Sequence, residues 1–213
     1  MKFDPNRHHR RSIRLPGYDY TRPGAYFITI CTHERAHLFG AVVDGEMRLN
    51  EWGRIVRDEW FKTAQIRPHV QLWDDEFVVM PNHIHGIIWI VDDNTDVRAT
   101  RRVAPTPPTG PDAGSIGAII GQFKSAVTKR INQWRGTPGA PVWQRNYYEH
   151  IIRDERALNA IRCYIGENPL RWHLDRYNPE RTGDDPLACE IWNMINDTAG
   201  ARHTVPLLQG GMP

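Results

Sequence analysis

Two histidines separated by one residue, His83-Ile84-His85, are the pair in this chain best suited to chemistry. On a strand, residues i and i+2 project from the same face. Two neutral imidazoles side by side make half of a divalent-metal site and leave positions open for a phosphate oxygen and water. Taken alone, an H-x-H pair is more often two surface histidines on a strand edge. Here it opens the apolar run 86–91 (GIIWIV), which reads as a buried strand in the middle of a sheet.

A second constellation is Tyr164 with Asn168. Four residues apart on a helix, they share one face. A tyrosine hydroxyl can attack a phosphodiester and keep the bond energy in a phosphotyrosine link. Its ordinary pKa near 10 makes it a weak nucleophile at neutral pH, which a metal on the scissile phosphate would offset. Asn168 offers such a metal a neutral oxygen, and Glu167, at i+3 from Tyr164, is a substitute. The plainer alternative is an amphipathic-helix tyrosine with an asparagine cap before Pro169. Tyr147 and Tyr148 are rival nucleophiles, and Trp143 and Tyr147 equally suit a core or a base-stacking platform.

These residues need elements to hold them. The β-branched and aromatic run 25–32 reads as a buried strand. Residues 39–48 read as a hairpin turning at Asp44-Gly45. Asn50 caps a helix that stops at Pro68. Strands follow at about 69–80 and 84–91, then a polar Asp/Arg/Pro stretch, 92–114, that reads as a mobile loop. Ser115 caps a helix with Ile116, Ile119, Ile120, Phe123, Val127 and Ile131 on one face. A strand around 150–152 and a helix capped by Asp154 complete the pattern. The order is β-α-β-β-α-β plus a C-terminal helix. It predicts an α+β fold of the ferredoxin-like, split βαβ kind, an antiparallel sheet with helices on one face. The predicted divisions are a basic arm, 1–22; a domain, 23–174; and an extension, 175–213, partly disordered, with a short helix near 190–195 and a loose tail beyond 200.

Composition narrows the classes. The chain has 213 residues, 40% of them hydrophobic, enough for one domain with a sizeable core. No stretch approaches the roughly 20 apolar residues of a membrane span, and the charged start lacks the apolar segment of a secretory signal. Three scattered cysteines suggest a reduced compartment and argue against a zinc–thiolate site. The net charge is only +2, but 23 of the 27 basic residues are arginine, leaving Lys2, Lys62, Lys124 and Lys129. Arginine suits phosphate and base stacking, although a GC-rich genome explains the excess equally well. The arm carrying Arg7, Arg10, Arg11 and Arg14 is the first candidate for DNA contact, followed by Lys124, Lys129 and Arg145.

Four blocks occur in order: residues 26–32, the run MPNHIHG at 80–86, WQRNYYEH at 143–150, and YIGENP at 164–169. Over about residues 10–174 the chain resembles the REP-associated tyrosine transposases, relatives of the single-tyrosine HUH insertion-sequence transposases. The resemblance implies His83 and His85 as metal ligands, Asn168 completing the site, and Tyr164 as the nucleophile. It implies magnesium or manganese, no small-molecule cofactor, and single-stranded DNA beside an imperfect palindromic hairpin. It further implies a cytoplasmic, nucleoid-associated bacterial protein, monomer or homodimer. The loop 92–114 and the extension after 175 depart from the compact family pattern. Two other readings compete: a domesticated hairpin-binding protein that no longer cuts, and a metal-dependent hydrolase forming no tyrosine link.

Overall fold

The computed structural model describes residues 17–92 and 111–198. The basic arm with Arg10, Arg11 and Arg14, most of the 92–114 loop, and the tail beyond 198 lie outside them.

Strand β1 (Gly24–Cys31) is buried along its whole length. It is the sheet's axis, paired antiparallel with β6 (His83–Ile90) on one side and with β7 (Tyr148–Ile152) on the other. Outside β6 lies an interrupted strand, β4 (Val70–Gln71) and β5 (Phe77–Val79), joined through a short 3-10 turn over Asp74–Glu76. The predicted single strand 69–80 therefore breaks in two at Asp74–Glu76, where Asp74 and Asp75 face solvent and Glu76 turns inward. A separate hairpin, β2 (Gly40–Val43) and β3 (Glu46–Leu49), turns at Asp44-Gly45. Both turn residues have positive φ, 55° and 77°, as the tight hairpin turn requires.

Helix α1 (Glu51–Ile66) begins at Asn50, whose side chain accepts from the backbone N–H groups of Trp52 and Gly53. Helix α2 (Ile116–Arg135) begins at Ser115 and ends at Gly136 in the left-handed region, φ 65°. The chain leaves β1, passes through α1 and returns two strands away. It leaves β6, passes through α2 and returns beyond β1, giving the order β7-β1-β6-β4, with β5 also beside β6. Each crossover thus straddles one antiparallel strand.

Alternation along the strands divides the core. Tyr26, Ile28, Ile30, Ile84, Ile88 and Ile90 pack against α1 and α2. Gly86 belongs to this face because a Cβ there would lie 2.5 Å from the Trp60 ring of α1. Ala25, Phe27, Ile87 and Ile152 face the other way, onto α3 (Glu155–Glu167). The two crossover helices share one face, as predicted. The third covers the opposite face, and α4 (Pro186–Thr198) packs on it through Leu187, Ile191 and Trp192. The extension is therefore ordered as far as this helix, because its apolar residues recur at helical spacing.

One buried ion pair anchors α3. Glu76, 1% exposed, accepts two hydrogen bonds from Arg162 at 2.8 and 2.6 Å, and one from the Trp89 indole at 2.6 Å. It joins β6 to the α3 turn that carries Tyr164. Arg162→Ala should cost about 2 kcal/mol, less than the roughly 3–5 of a fully buried pair because water screens the half-open arginine. Urea unfolding measures this; a destabilisation under about 0.5 kcal/mol would show that α3 is held by apolar packing alone.

Candidate active site

His83 and His85 lie next to one another on the α3 face, ring centroids 4.6 Å apart, and both are fully buried. For His83 the neighbours determine which nitrogen is protonated. The Asn82 amide donates to the carbonyls of Arg35 (3.2 Å) and Tyr177 (2.8 Å), so its oxygen faces His83 Nδ1 at 2.9 Å. Nδ1 must donate there, which leaves Nε2 as a bare lone pair. It has no hydrogen-bond partner and lies 3.7 Å from a carboxylate oxygen of Asp175. His85 holds Thr29 Oγ1 through Nδ1 at 2.8 Å, and its Nε2 is 3.3 Å from the Tyr164 hydroxyl. Phe27, stacked on His85 at 5.5 Å, fixes that ring.

Asn168 donates to Asp175 at 3.2 Å, and its oxygen is buried without a partner. The second Asp175 oxygen accepts the Tyr177 backbone N–H at 2.6 Å. His83 Nε2 and Asp175 Oδ2 thus lie together with His85, and Asn168, bound to Asp175, adds a buried oxygen without a partner. Acceptors buried together repel one another unless a cation sits among them. His83, His85 and Asp175 offer ligand atoms all within 4.8 Å of one another. Two imidazoles, a carboxylate and an amide oxygen fit a divalent ion that keeps further positions for oxygen ligands.

The electrostatics agree with that reading. Burial pushes His83 down to about 4, with Asp175 partly opposing, so the ring is neutral and able to ligate at neutral pH. Burial, then the neighbouring His83, takes His85 well below the usual histidine range. Burial, then Asp175, holds Tyr164 well above the usual phenol range. The hydroxyl is thus protonated until positive charge arrives beside it.

Sequence reasoning missed Asp175. It lies in an aperiodic segment after α3, where no strand or helix spacing marks it; the one available signal was an acid soon after the Tyr164–Asn168 helix. Glu167, the proposed substitute ligand, turns outward to Arg171 at 2.8 Å and is exposed. Tyr147 packs with the α1–α2 core, on the far side of the sheet. Tyr148 does share the Tyr164 face, its ring edge-on to Trp192 at 4.7 Å. Trp143 is core, between Phe39 and Phe123.

The centre is covered. Tyr177 lies 4.7 Å and Trp172 6.1 Å from the His83 ring, and Arg176 sits over the rings of Tyr177 and Trp192. Tyr164 is 2% exposed and Asn168 1%. Lys124, Lys129 and Arg145 line a single groove between α2 and the 138–145 segment. Lys124 is committed there, donating to the carbonyls of Gln144 and Arg145 at 2.5 and 3.0 Å. No described helix is long and apolar enough to cross a membrane.

No protein-family model matches the chain. A protein of Haemophilus influenzae described as "Uncharacterized protein" is 41% identical over 178 residues, 82% of this chain and 96% of the relative. A second Haemophilus influenzae protein, described as "Putative REP-associated tyrosine transposase", is 24% identical over 157 residues, 72% of this chain and 74% of that one. Among solved structures, that of a REP-associated tyrosine transposase bound to a REP hairpin is 19% identical with a TM-score of 0.45, covering 75% of this chain and 74% of that one. A "putative transposase" of Deinococcus radiodurans is 17% identical with a TM-score of 0.39, covering 72% and 95%.

Proposed function

We infer that this chain is a member of the REP-associated tyrosine transposases, a reading its 24% identical relative supports, and that it binds single-stranded DNA beside a folded hairpin and cuts and rejoins it through Tyr164. The observation that carries this reading is the Tyr164 hydroxyl, 3.3 Å from His85 at the edge of an acceptor cluster built for a cation. His83, His85 and Asp175 would hold a divalent ion of the magnesium or manganese class, with Asn168 Oδ1 as a further ligand. When bound, such an ion polarises the scissile phosphoryl group and offsets the charge of a forming phenolate.

The chain's own residues do the rest. Tyr164 Oη attacks phosphorus and the bond to the 3′ oxygen breaks. The phenol proton is balanced by the one gained at the departing 3′-hydroxyl, and the 5′ end stays on the protein as phosphotyrosine. Attack by a 3′-hydroxyl on that link rejoins DNA and restores tyrosine. Asn82 and Thr29 keep the imidazoles turned toward the phosphate. Glu76 and Arg162 hold α3 in register. DNA reaches the centre only when the cover around Trp172 and Tyr177 shifts. A denaturing gel of protein incubated with labelled single-stranded hairpin DNA and manganese tests the reading. A covalent band is expected; binding without such a band would favour a hairpin-binding protein that does not cut, and free cleaved products would favour simple hydrolysis.

The basic arm is proposed to grip phosphates. Deleting residues 1–14 should weaken hairpin binding and flatten its salt dependence by about 0.7–0.9 in logarithmic slope for each phosphate the arm neutralises. Titration at several salt concentrations measures both; unchanged values would make the arm a solvated tail.

A further inference from the structure

Two arginines over the centre are left without acidic partners. Nearby, Arg162 is spent on Glu76, and Arg171 on Glu167 and Asp185. Arg35 and Arg176 are exposed and meet no carboxylate at ion-pair distance among the described residues. Their guanidiniums lie instead against one ring, Tyr177, at 5.4 and 5.3 Å from its centroid. That ring packs on His83 at 4.7 Å. Arg176 also lies over Trp192 of α4, at 5.2 Å.

Both arginines are built into the centre through their backbones. The Asn82 amide, whose oxygen orients His83, donates to the carbonyls of Arg35 and Tyr177. Arg176 stands between Asp175, whose carboxylate faces His83, and Tyr177, whose N–H donates back to Asp175 and closes the turn. Glu34 and Arg35 are consecutive non-glycine residues in the left-handed region, φ 55° and 56°. That conformation costs energy and persists where the surroundings impose it, as they do at functional sites. Behind burial and nearer groups, Arg35 disfavours the protonated form of His83 and Arg176 that of His85, so both charges are felt at the imidazole pair.

Resting on the DNA-cutting reading above, we propose that Arg35 and Arg176 are catalytic residues that hold the scissile phosphate and offset the charge it gains under attack, with Trp192 as the positioning residue for Arg176. In that reaction Tyr164 Oη bonds to phosphorus and the bond to the 3′ oxygen breaks. The phenol gives up a proton and the 3′ oxygen gains one. Midway the phosphoryl group carries more negative charge than the resting diester, and preorganised donors act most strongly on charge that develops. A guanidinium suits this task because it stays charged and offers a planar fork to phosphate oxygens. Since their backbones are tied to Asn82 and Asp175, both side chains stay at the centre when the Tyr177 ring moves aside for DNA. They exchange that ring for the phosphate. Helix α4 then serves the reaction through Trp192.

The test is the adduct assay above, run with protein in excess over labelled hairpin DNA so that a single turnover is timed. Anisotropy gives affinity, and manganese calorimetry checks that the centre is intact. Arg35→Ala and Arg176→Ala should each slow adduct formation about 100-fold, the range for removing one preorganised donor. Affinity should stay within about threefold of the parent, because the contact is made chiefly in the transition state. Arg176→Lys, which keeps the charge and loses the fork, should recover about tenfold of the loss. Trp192→Leu should slow the reaction about tenfold by misplacing Arg176, with manganese binding unchanged. A second substrate carries an uncharged methylphosphonate where the parent protein cuts. On it each alanine variant should fall within about tenfold of the parent, since less charge is left to offset. A parental rate in either alanine variant on ordinary DNA, or equal losses on both substrates, would overturn the arginine assignment and leave the cutting reading in place. No adduct from the parent protein would bring down the cutting reading itself, and this one with it.

Discussion

Tyr164→Phe should abolish the covalent protein–DNA link while leaving hairpin affinity within about twofold of the parent. The substitution deletes one oxygen from a side chain packed against Phe27 and His85. The hydrogen bond that this oxygen makes is long, 3.3 Å, so stability should change by no more than about 1 kcal/mol. The chemical cost is far larger. No nucleophile remains at the phosphorus, and strand cleavage should fall below roughly a thousandth of its rate. Peptide mapping of the adduct in the parent protein makes the assignment specific. Tyr148 is the rival to watch, since it shares the face. A link found there, or an adduct that survives Tyr164→Phe, would overturn the assignment.

Removing the metal should have a comparable effect by a different route. Excess chelator should stop cleavage and spare most hairpin binding, because the phosphate contacts proposed for the arm need no metal. His83→Ala and His85→Ala should mimic chelation, each taking away one of the two imidazoles. Asp175→Asn should weaken manganese binding about 10–100-fold, the range for removing a charged partner at such a site. It keeps the shape of the side chain and the Tyr177 backbone contact. Asn168→Ala should be milder, since water can replace one neutral oxygen. Calorimetric titration with manganese gives a readout independent of activity. So does thermal melting, where ion at 100 times its dissociation constant should add about 2.7 kcal/mol. Cleavage at full rate in excess chelator by protein that carries no ion would end the metal reading. A tight four-coordinate zinc site in the purified protein would instead give the histidines a structural role.

Much of this was legible in the chain because it depends on local repetition. Two-residue alternation puts His83 and His85 on one face whatever else the protein does. Helical spacing likewise puts Tyr164 and Asn168 on one face of α3, and Asn50, Ser115 and Asp154 mark helix starts by their capping chemistry. The interleaved order of strands and helices follows from the element sequence and the rules of crossover connection.

What the tertiary structure decided lies where no period operates. Asp175 reaches His83 across a gap of 92 residues, from a segment without regular structure, so nothing in its surroundings singles it out. Glu76 meets Arg162 only because the strand breaks at three acids and α3 crosses above the break. Lys129 and Arg145 become one cationic groove only when α2 and the strand-leading segment pack side by side. The closing of the centre by Trp172, Tyr177 and α4 is likewise a matter of packing. A local pattern sets which way a side chain points, and three-dimensional packing sets what it meets there.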